Sequence, residues 1–138
     1  SKARGYEGEL HRYLGATIEL LHTATLMHDD VVDESDLRRG RPTANNRWGN
    51  GVAVLVGDFL YTRSFQMMIR AGNLKVMEAL SDAANRLSEG EVIQMTNAHD
   101  PNVDEVRYFQ VIERKTACLF EAAARMAAAI SRSASLTL

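Results

Sequence analysis

The sequence is short of most features that would give a small protein a special class. It has one cysteine, Cys118, so no internal disulfide can form, and a lone thiol fits a reducing compartment. Only two prolines, Pro42 and Pro101, interrupt the chain, which leaves long stretches free to be helical. Neither a segment of about 18 consecutive apolar residues nor a signal-peptide pattern is present, and the expectation is a soluble, cytoplasmic protein. The formal net charge is −2, which supplies neither a nucleic-acid footprint nor an electrostatic anchor for membranes. What remains is 138 residues, 46% hydrophobic and 25% charged, enough for one domain with a core.

Apolar residues recur with helical spacing and no strand signal survives. The pattern predicts a first helix from about Tyr6 to Asp33, with Gly15 a candidate break point. Residues 34–50, with Gly40, Pro42, Asn45, Asn46 and Gly49, predict a turn-rich loop. A second helix follows from about Gly51 to Ala71, and Gly72 with Asn73 forms a short connection in which Asn73 can cap a third helix reaching about Asn97. His99-Asp100-Pro101 stops that helix, and Asn102-Val103-Asp104-Glu105 gives a capping-box-like start to a fourth, ending near Ser131. The expected fold is an all-α antiparallel helical bundle.

The first helix ends in the most informative run of the chain, His28-Asp-Asp-Val-Val-Asp-Glu-Ser-Asp-Leu-Arg-Arg-Gly40. At helical pitch Asp29, Asp30 and Asp33 fall within an arc of about 100°. Like charges so close repel, which a helix tolerates best when a cation sits among them. Oxygen-only ligands in a partial shell suit magnesium, an ion that keeps several waters and shares itself with substrate phosphates. Arg38 and Arg39 follow as forked donors for phosphate oxygens. Together they read as a site for a magnesium-diphosphate, against the plainer reading of a solvated acidic helix end before a basic loop. Leu20, Leu21, Ala24, Leu26 and Met27 carry the acids toward a core, and His22 lies two turns before Asp29 on nearly the same face.

From His22 through Arg41-Pro42-Thr43 the sequence resembles the first aspartate-rich region of trans-polyprenyl diphosphate synthases, the octaprenyl type in particular. The resemblance continues, in the family's order, through Gly57-Asp58-Phe59-Leu60, Gly90-Glu91-Val92-Ile93-Gln94 and Lys115-Thr116-Ala117. It implies an isoprenoid-synthase type of bundle in which an allylic diphosphate ionises and the cation is attacked by isopentenyl diphosphate. Under it, Asp29 and Asp33 are magnesium ligands supported by Asp30. Arg38 holds the allylic diphosphate, Arg39 and His22 hold the diphosphate of isopentenyl diphosphate, and Lys115 with Thr116 binds the allylic diphosphate from an opposing helix. Gln94 takes the place of a polar group lining the cleft. Without the resemblance, His22 reads as an ordinary structural histidine and Lys115 as a solvent-facing lysine.

The same family places bulky aromatics at the fourth and fifth positions before the first aspartate when the product is short. Here those positions hold Thr25 and Ala24, so the resemblance implies a pocket open to a long chain, with Phe65 and Met68 as candidate floor residues. It also implies a homodimer through the central helices. The family's upstream Gly-Gly-Lys-Arg segment and second aspartate-rich motif are not found, so residues 1–138 read as the central part of a single prenyl synthase domain, expected to be inactive by itself. Asp58 shares a predicted face with Val54, Tyr61, Phe65 and Met68 and is expected to enter the core with a polar partner. Two other classes compete. A non-catalytic subunit of a heteromeric prenyl synthase is opposed by the intact acids and arginines, and a terpene cyclase by the missing Asn/Ser/Glu metal motif and by a second diphosphate site.

Overall fold

The computed structural model describes residues 8–97 and 104–135. Six α-helices, one π-helical turn and a small hairpin make up the described chain: α1 (Leu10–Val32), β1 (Leu37–Arg38), β2 (Arg41–Pro42), α2 (Ala44–Trp48), α3 (Asn50–Arg70), α4 (Leu74–Asn97), α5 (Glu105–Ile112), a π-helical turn (Glu113–Ala117) and α6 (Cys118–Ser135). The all-α bundle expected from the sequence is the observed architecture. α1 continues without a break through Gly15, because a lone glycine weakens a helix by only about 1 kcal/mol and packing on either side outweighs it. Its expected start at Tyr6 and the stop at His99-Asp100-Pro101 lie outside the described residues.

Helix boundaries follow local chemistry. Asn73 caps α4, its side-chain oxygen accepting from the backbone N–H of Lys75 at 3.0 Å and of Val76 at 3.3 Å. Asp104 caps α5 by accepting from the Arg107 N–H at 2.8 Å. The region 34–50 is more ordered than a loop. Leu37 pairs with Pro42 and Arg38 with Arg41 across a tip formed by Arg39 and Gly40, both at positive φ (51° and 75°), the dihedral signature of a tight primed turn.

α1 packs most extensively on α3, and α4 on α6. Small buried residues permit these approaches: Ala24 on α1, Ala53 and Gly57 on α3, Ala79, Ala83 and Ala84 on α4, Ala122 and Ala129 on α6. Leu14, Leu21, Met68, Leu80, Leu87 and Met126 fill the space between, one connected core. Outside it, ion pairs run along the α4–α6 seam: Arg125 with Asp82 at 3.2 Å, Arg86 with Glu121 at 2.6 Å and Glu113 at 3.1 Å, and Arg114 with Glu89 at 3.3 Å. Their order makes the two helices antiparallel.

Candidate active site

The three carboxylates of α1 part company at its last turn. Asp30 points inward and is 5% exposed. Arg38 turns back on β1 to meet it, donating from Nη2 at 2.8 Å and from Nε to both carboxylate oxygens at 3.1 Å. That hydrogen bonding outweighs the partial burial of Arg38 and raises the guanidinium pKa above its ordinary value. The hairpin carrying Arg38 is tied down by backbone as well. Ser35 N–H donates to the Asp30 carbonyl at 2.9 Å, Asn45 Nδ2 donates to the same carbonyl at 3.2 Å, and the Thr43 hydroxyl donates to Ser35 O at 2.7 Å. Asp33 stands exposed at the helix end, one turn beyond Asp29, and Arg39 is exposed at the hairpin tip.

Asp29 meets a lysine from the far side of the bundle. Lys115 sits in the π-helical turn, and its Nζ lies 3.3 Å from Asp29 Oδ2, 2.8 Å from Glu91 Oε1 and 2.8 Å from Gln94 Oε1. The approach is close because residue 90 is glycine. A Cβ there would stand 2.9 Å from Arg114 Cβ and 3.1 Å from Lys115 Cγ. The Lys115 side chain is 18% exposed. Burial opposes its charge, but the Glu91 hydrogen bond and the Asp29 charge prevail and hold the ammonium pKa above the usual lysine value. Burial pushes the Glu91 carboxyl up, and proximity to Asp29 adds to that against the pull of Lys115.

Lys115 also borders a cleft of about 470 Å³ between α1 and α6, lined by Ile18, His22, Thr116, Leu119 and Phe120 among others. The volume is that of a small-molecule site, and the walls are mainly apolar. Lys115 stands at one end and ties the cleft to Gln94, Glu91 and Asp29, while Glu19, His22 and Thr116 add polar groups to walls that are otherwise apolar. Such a shape suits a ligand with a charged head and an apolar body.

The sequence matches the model of the family described as polyprenyl synthetase over residues 2–137. The chain belongs to that family. Octaprenyl diphosphate synthase of Escherichia coli (strain K12) is 58% identical over 125 residues, covering 91% of this chain and 39% of the relative. All-trans-nonaprenyl-diphosphate synthase (geranyl-diphosphate specific) of Rhodobacter capsulatus is 51% identical over 118 residues, covering 86% of this chain and 36% of the relative. Among solved structures, a decaprenyl diphosphate synthase from Rhodobacter capsulatus superposes with a TM-score of 0.84 at 55% identity, covering 88% of this chain and 38% of that one. A polyprenyl synthase from Caulobacter crescentus CB15 complexed with calcium and isoprenyl diphosphate gives a TM-score of 0.87 at 43% identity, covering 93% and 40%. The chain therefore spans well under half the length of these relatives.

Within this polyprenyl synthetase fold the candidate residues fall into three places. His22, Lys115 and Thr116 line the cleft, with Asp29 and Gln94 joined to them through the Lys115 ammonium. Arg38 and Asp30 form their own pair beside it, with Arg39 and Asp33 exposed nearby. Ala24 and Met68 are buried, whereas Thr25, which donates its hydroxyl to the His22 carbonyl at 2.9 Å, and Phe65, which stacks on Tyr61 at 5.3 Å, are half-buried on α1 and α3. Asp58 corrects the expectation placed on it. Its side chain is 62% exposed, at the rim of the core rather than in it, and lies 3.2 Å from His28 Nε2. The reason is that α3 is apolar on nearly every side, so periodicity could not tell its inner face from its outer one.

Two contacts went unread in the sequence. Glu91 binds Lys115, signalled only by the helix-interior glycine before it, and the His28 ring packs onto Gly57, where a Cβ would overlap it. Among the described residues no group of three or more His, Cys, Asp or Glu side chains gathers in metal-holding geometry. With Asp30 buried against Arg38, the hard oxygen donors one turn apart are Asp29, whose Oδ2 is shared with Lys115 at 3.3 Å, and the exposed Asp33. That fits magnesium, which is held through one or two carboxylates and completes its shell with water and phosphate, and does not fit a metal needing a full protein cage.

Proposed function

We propose that the protein is a magnesium-dependent trans-prenyltransferase that joins isopentenyl diphosphate to an allylic diphosphate. Over repeated rounds it makes a medium- to long-chain polyprenyl diphosphate of the octaprenyl type, the precursor of a quinone side chain. The carrying observation is the junction of Asp29 with Lys115 at 3.3 Å, at the charged end of an apolar cleft. The structural relative complexed with calcium and isoprenyl diphosphate supports a divalent cation and a prenyl diphosphate as the ligand pair.

As the allylic C–O bond breaks, its electrons leave with the diphosphate and negative charge builds there. Lys115 and Thr116 from the opposing helix, and Arg38 from the hairpin, would supply positive charge and donors against it, the kind of positioned groups that stabilise developing charge most strongly. Asp29 and Asp33 would hold magnesium, which when bound supplies further positive charge against the diphosphate oxygens. Ile18 and Leu119 offer the carbocation apolar walls in place of water. Arg39 and His22 orient the second diphosphate so that the double bond of isopentenyl diphosphate attacks, a C–C bond forms and a proton is lost. The small side chains of Ala24 and Thr25, with Phe65 and Met68 as candidate floor residues, are read as leaving room for a long product.

The reading includes a cytoplasmic homodimer. The buried lone thiol of Cys118 is in keeping with a reducing compartment, and no described helix is long and apolar enough to cross a membrane. Val52, Leu55, Val56 and Phe59 form an exposed apolar stripe on α3 suited to a second copy. The test is turnover of labelled isopentenyl diphosphate with farnesyl diphosphate by the full-length protein. Chain extension to a long-chain product is expected, and no incorporation refutes the reading. Asp29→Ala should lower turnover by about a hundredfold or more with the melting temperature kept, and turnover within about tenfold of wild type refutes the metal assignment.

A further inference from the structure

We propose that Glu91 is a positioning residue that acts through Lys115: with Gln94 it fixes the ammonium at the end of the cleft where a diphosphate binds. This rests on the reading just given. A lysine ammonium has three N–H donors on a flexible stem with many rotamers. Here three acceptors surround the ammonium, and the two shorter contacts, both 2.8 Å, come from α4 rather than from α1, which leaves the donor on the longer Asp29 contact as the one a diphosphate can take. Glu91 and Gln94 are three residues apart and so share one face of a rigid helix, where two fixed acceptors select one position of the lysine head. Asp29 provides only the longer contact, at 3.3 Å.

Two features of the backbone serve the same contact. Gly90 brings α4 against Arg114 and Lys115 closer than any side chain at that position would allow. The π-helical turn, Glu113–Ala117, interrupts the α-helical register on the lysine's own element, and such turns often mark functional sites. A solvated surface acid would need neither. The Glu91 side chain is only 25% exposed.

The decisive measurement is the affinity of the full-length protein for inorganic diphosphate with Mg2+, by calorimetry, with steady-state kinetics on farnesyl diphosphate beside it. Glu91→Ala is expected to weaken diphosphate binding by about tenfold or more, the loss typical of one charge-assisted hydrogen bond, and to raise the KM for the allylic substrate more than it lowers kcat. Glu91→Gln, which keeps an acceptor oxygen, should return to within about threefold of wild type. The double variant Glu91→Ala/Lys115→Ala should match Lys115→Ala alone, because Glu91 has no route to the ligand except the lysine. Additive losses, or unchanged binding in a folded Glu91→Ala protein, overturn the proposal. Should that variant fail to fold, Glu91→Asp, which withdraws the carboxylate by one methylene, carries the same expectation. A wild-type protein that binds diphosphate in this Glu91-dependent way yet turns nothing over refutes the function proposed above and leaves the positioning role standing. One that turns over normally with no Glu91 effect does the reverse.

Discussion

Arg38→Ala should destabilise the protein as well as its ligand site. The guanidinium donates three hydrogen bonds to Asp30, at 2.8, 3.1 and 3.1 Å, and the Asp30 side chain is 7% exposed while that of Arg38 is 40% exposed. Truncation strands a nearly buried carboxylate without its cation, a change that costs about 3–5 kcal/mol when the pair is fully enclosed. The outer part of Arg38 is open to solvent, however, and water can follow into the vacated space to solvate the acid. The expected loss is therefore smaller, about 2 kcal/mol. With a urea slope of about 2 kcal/mol/M, the unfolding midpoint should fall by about 1 M at unchanged slope. Asp30→Asn combined with Arg38→Ala should lose less than the sum of the single changes, since a neutral amide needs no cation. A midpoint for Arg38→Ala within about 0.2 M of wild type would refute the reasoning, because Asp30 would then be satisfied without the arginine.

The hairpin tip and the α1–α3 seam give two more predictions. Arg39 is held in the left-handed region at φ 51°, so Arg39→Gly relieves steric strain and should stabilise the protein by about 0.5–1 kcal/mol once the extra freedom of unfolded glycine is discounted, while weakening diphosphate binding. A lower melting temperature would count against the strain. Gly57→Ala should go the other way. Helix propensity favours alanine by about 1 kcal/mol, but its Cβ would enter the His28 ring, and overpacking of about 1–3 kcal/mol should prevail. Trimming the ring in Gly57→Ala/His28→Ala should recover part of the loss in a thermal melt, and a stabilised Gly57→Ala protein would show that the ring moves aside freely.

Long elements were legible because their signals are long. The apolar spacing that ends at Asp33, the asparagine that caps α4 and the aspartate that caps α5 each act within a turn or two of where they stand. The hairpin at 37–42 was not, since two-residue strands are too short to show alternation and Arg39-Gly40 lacks the Asn-Gly or Asp-Gly signature of its turn. Nor was the π-helical turn, which reads in sequence as ordinary helix and lies where Arg114 and Lys115 pack on Gly90, a contact made across the fold. At the site, the chemistry of Asp29, Arg38 and Lys115 could be named from residue types and resemblance. Their partners could not, because Asp30 with Arg38, and Lys115 with Glu91, are pairings that only the tertiary fold decides.

The charges along α4 and α6 amount to an address written in alternating sign. In the native alignment Asp82 faces Arg125 and Arg86 faces Glu121. Sliding α6 by one turn, about 5.4 Å, would set Arg125 against Arg86 and Glu121 against Glu89, turning attraction into repulsion at successive rungs. The alanines that let these helices come so close offer little resistance to such a slide, because one small side chain packs much like the next. Each surface pair adds little to stability, but the sequence of signs tells the folding chain which of several nearly equivalent dockings is correct, and so where the Lys115 ammonium arrives.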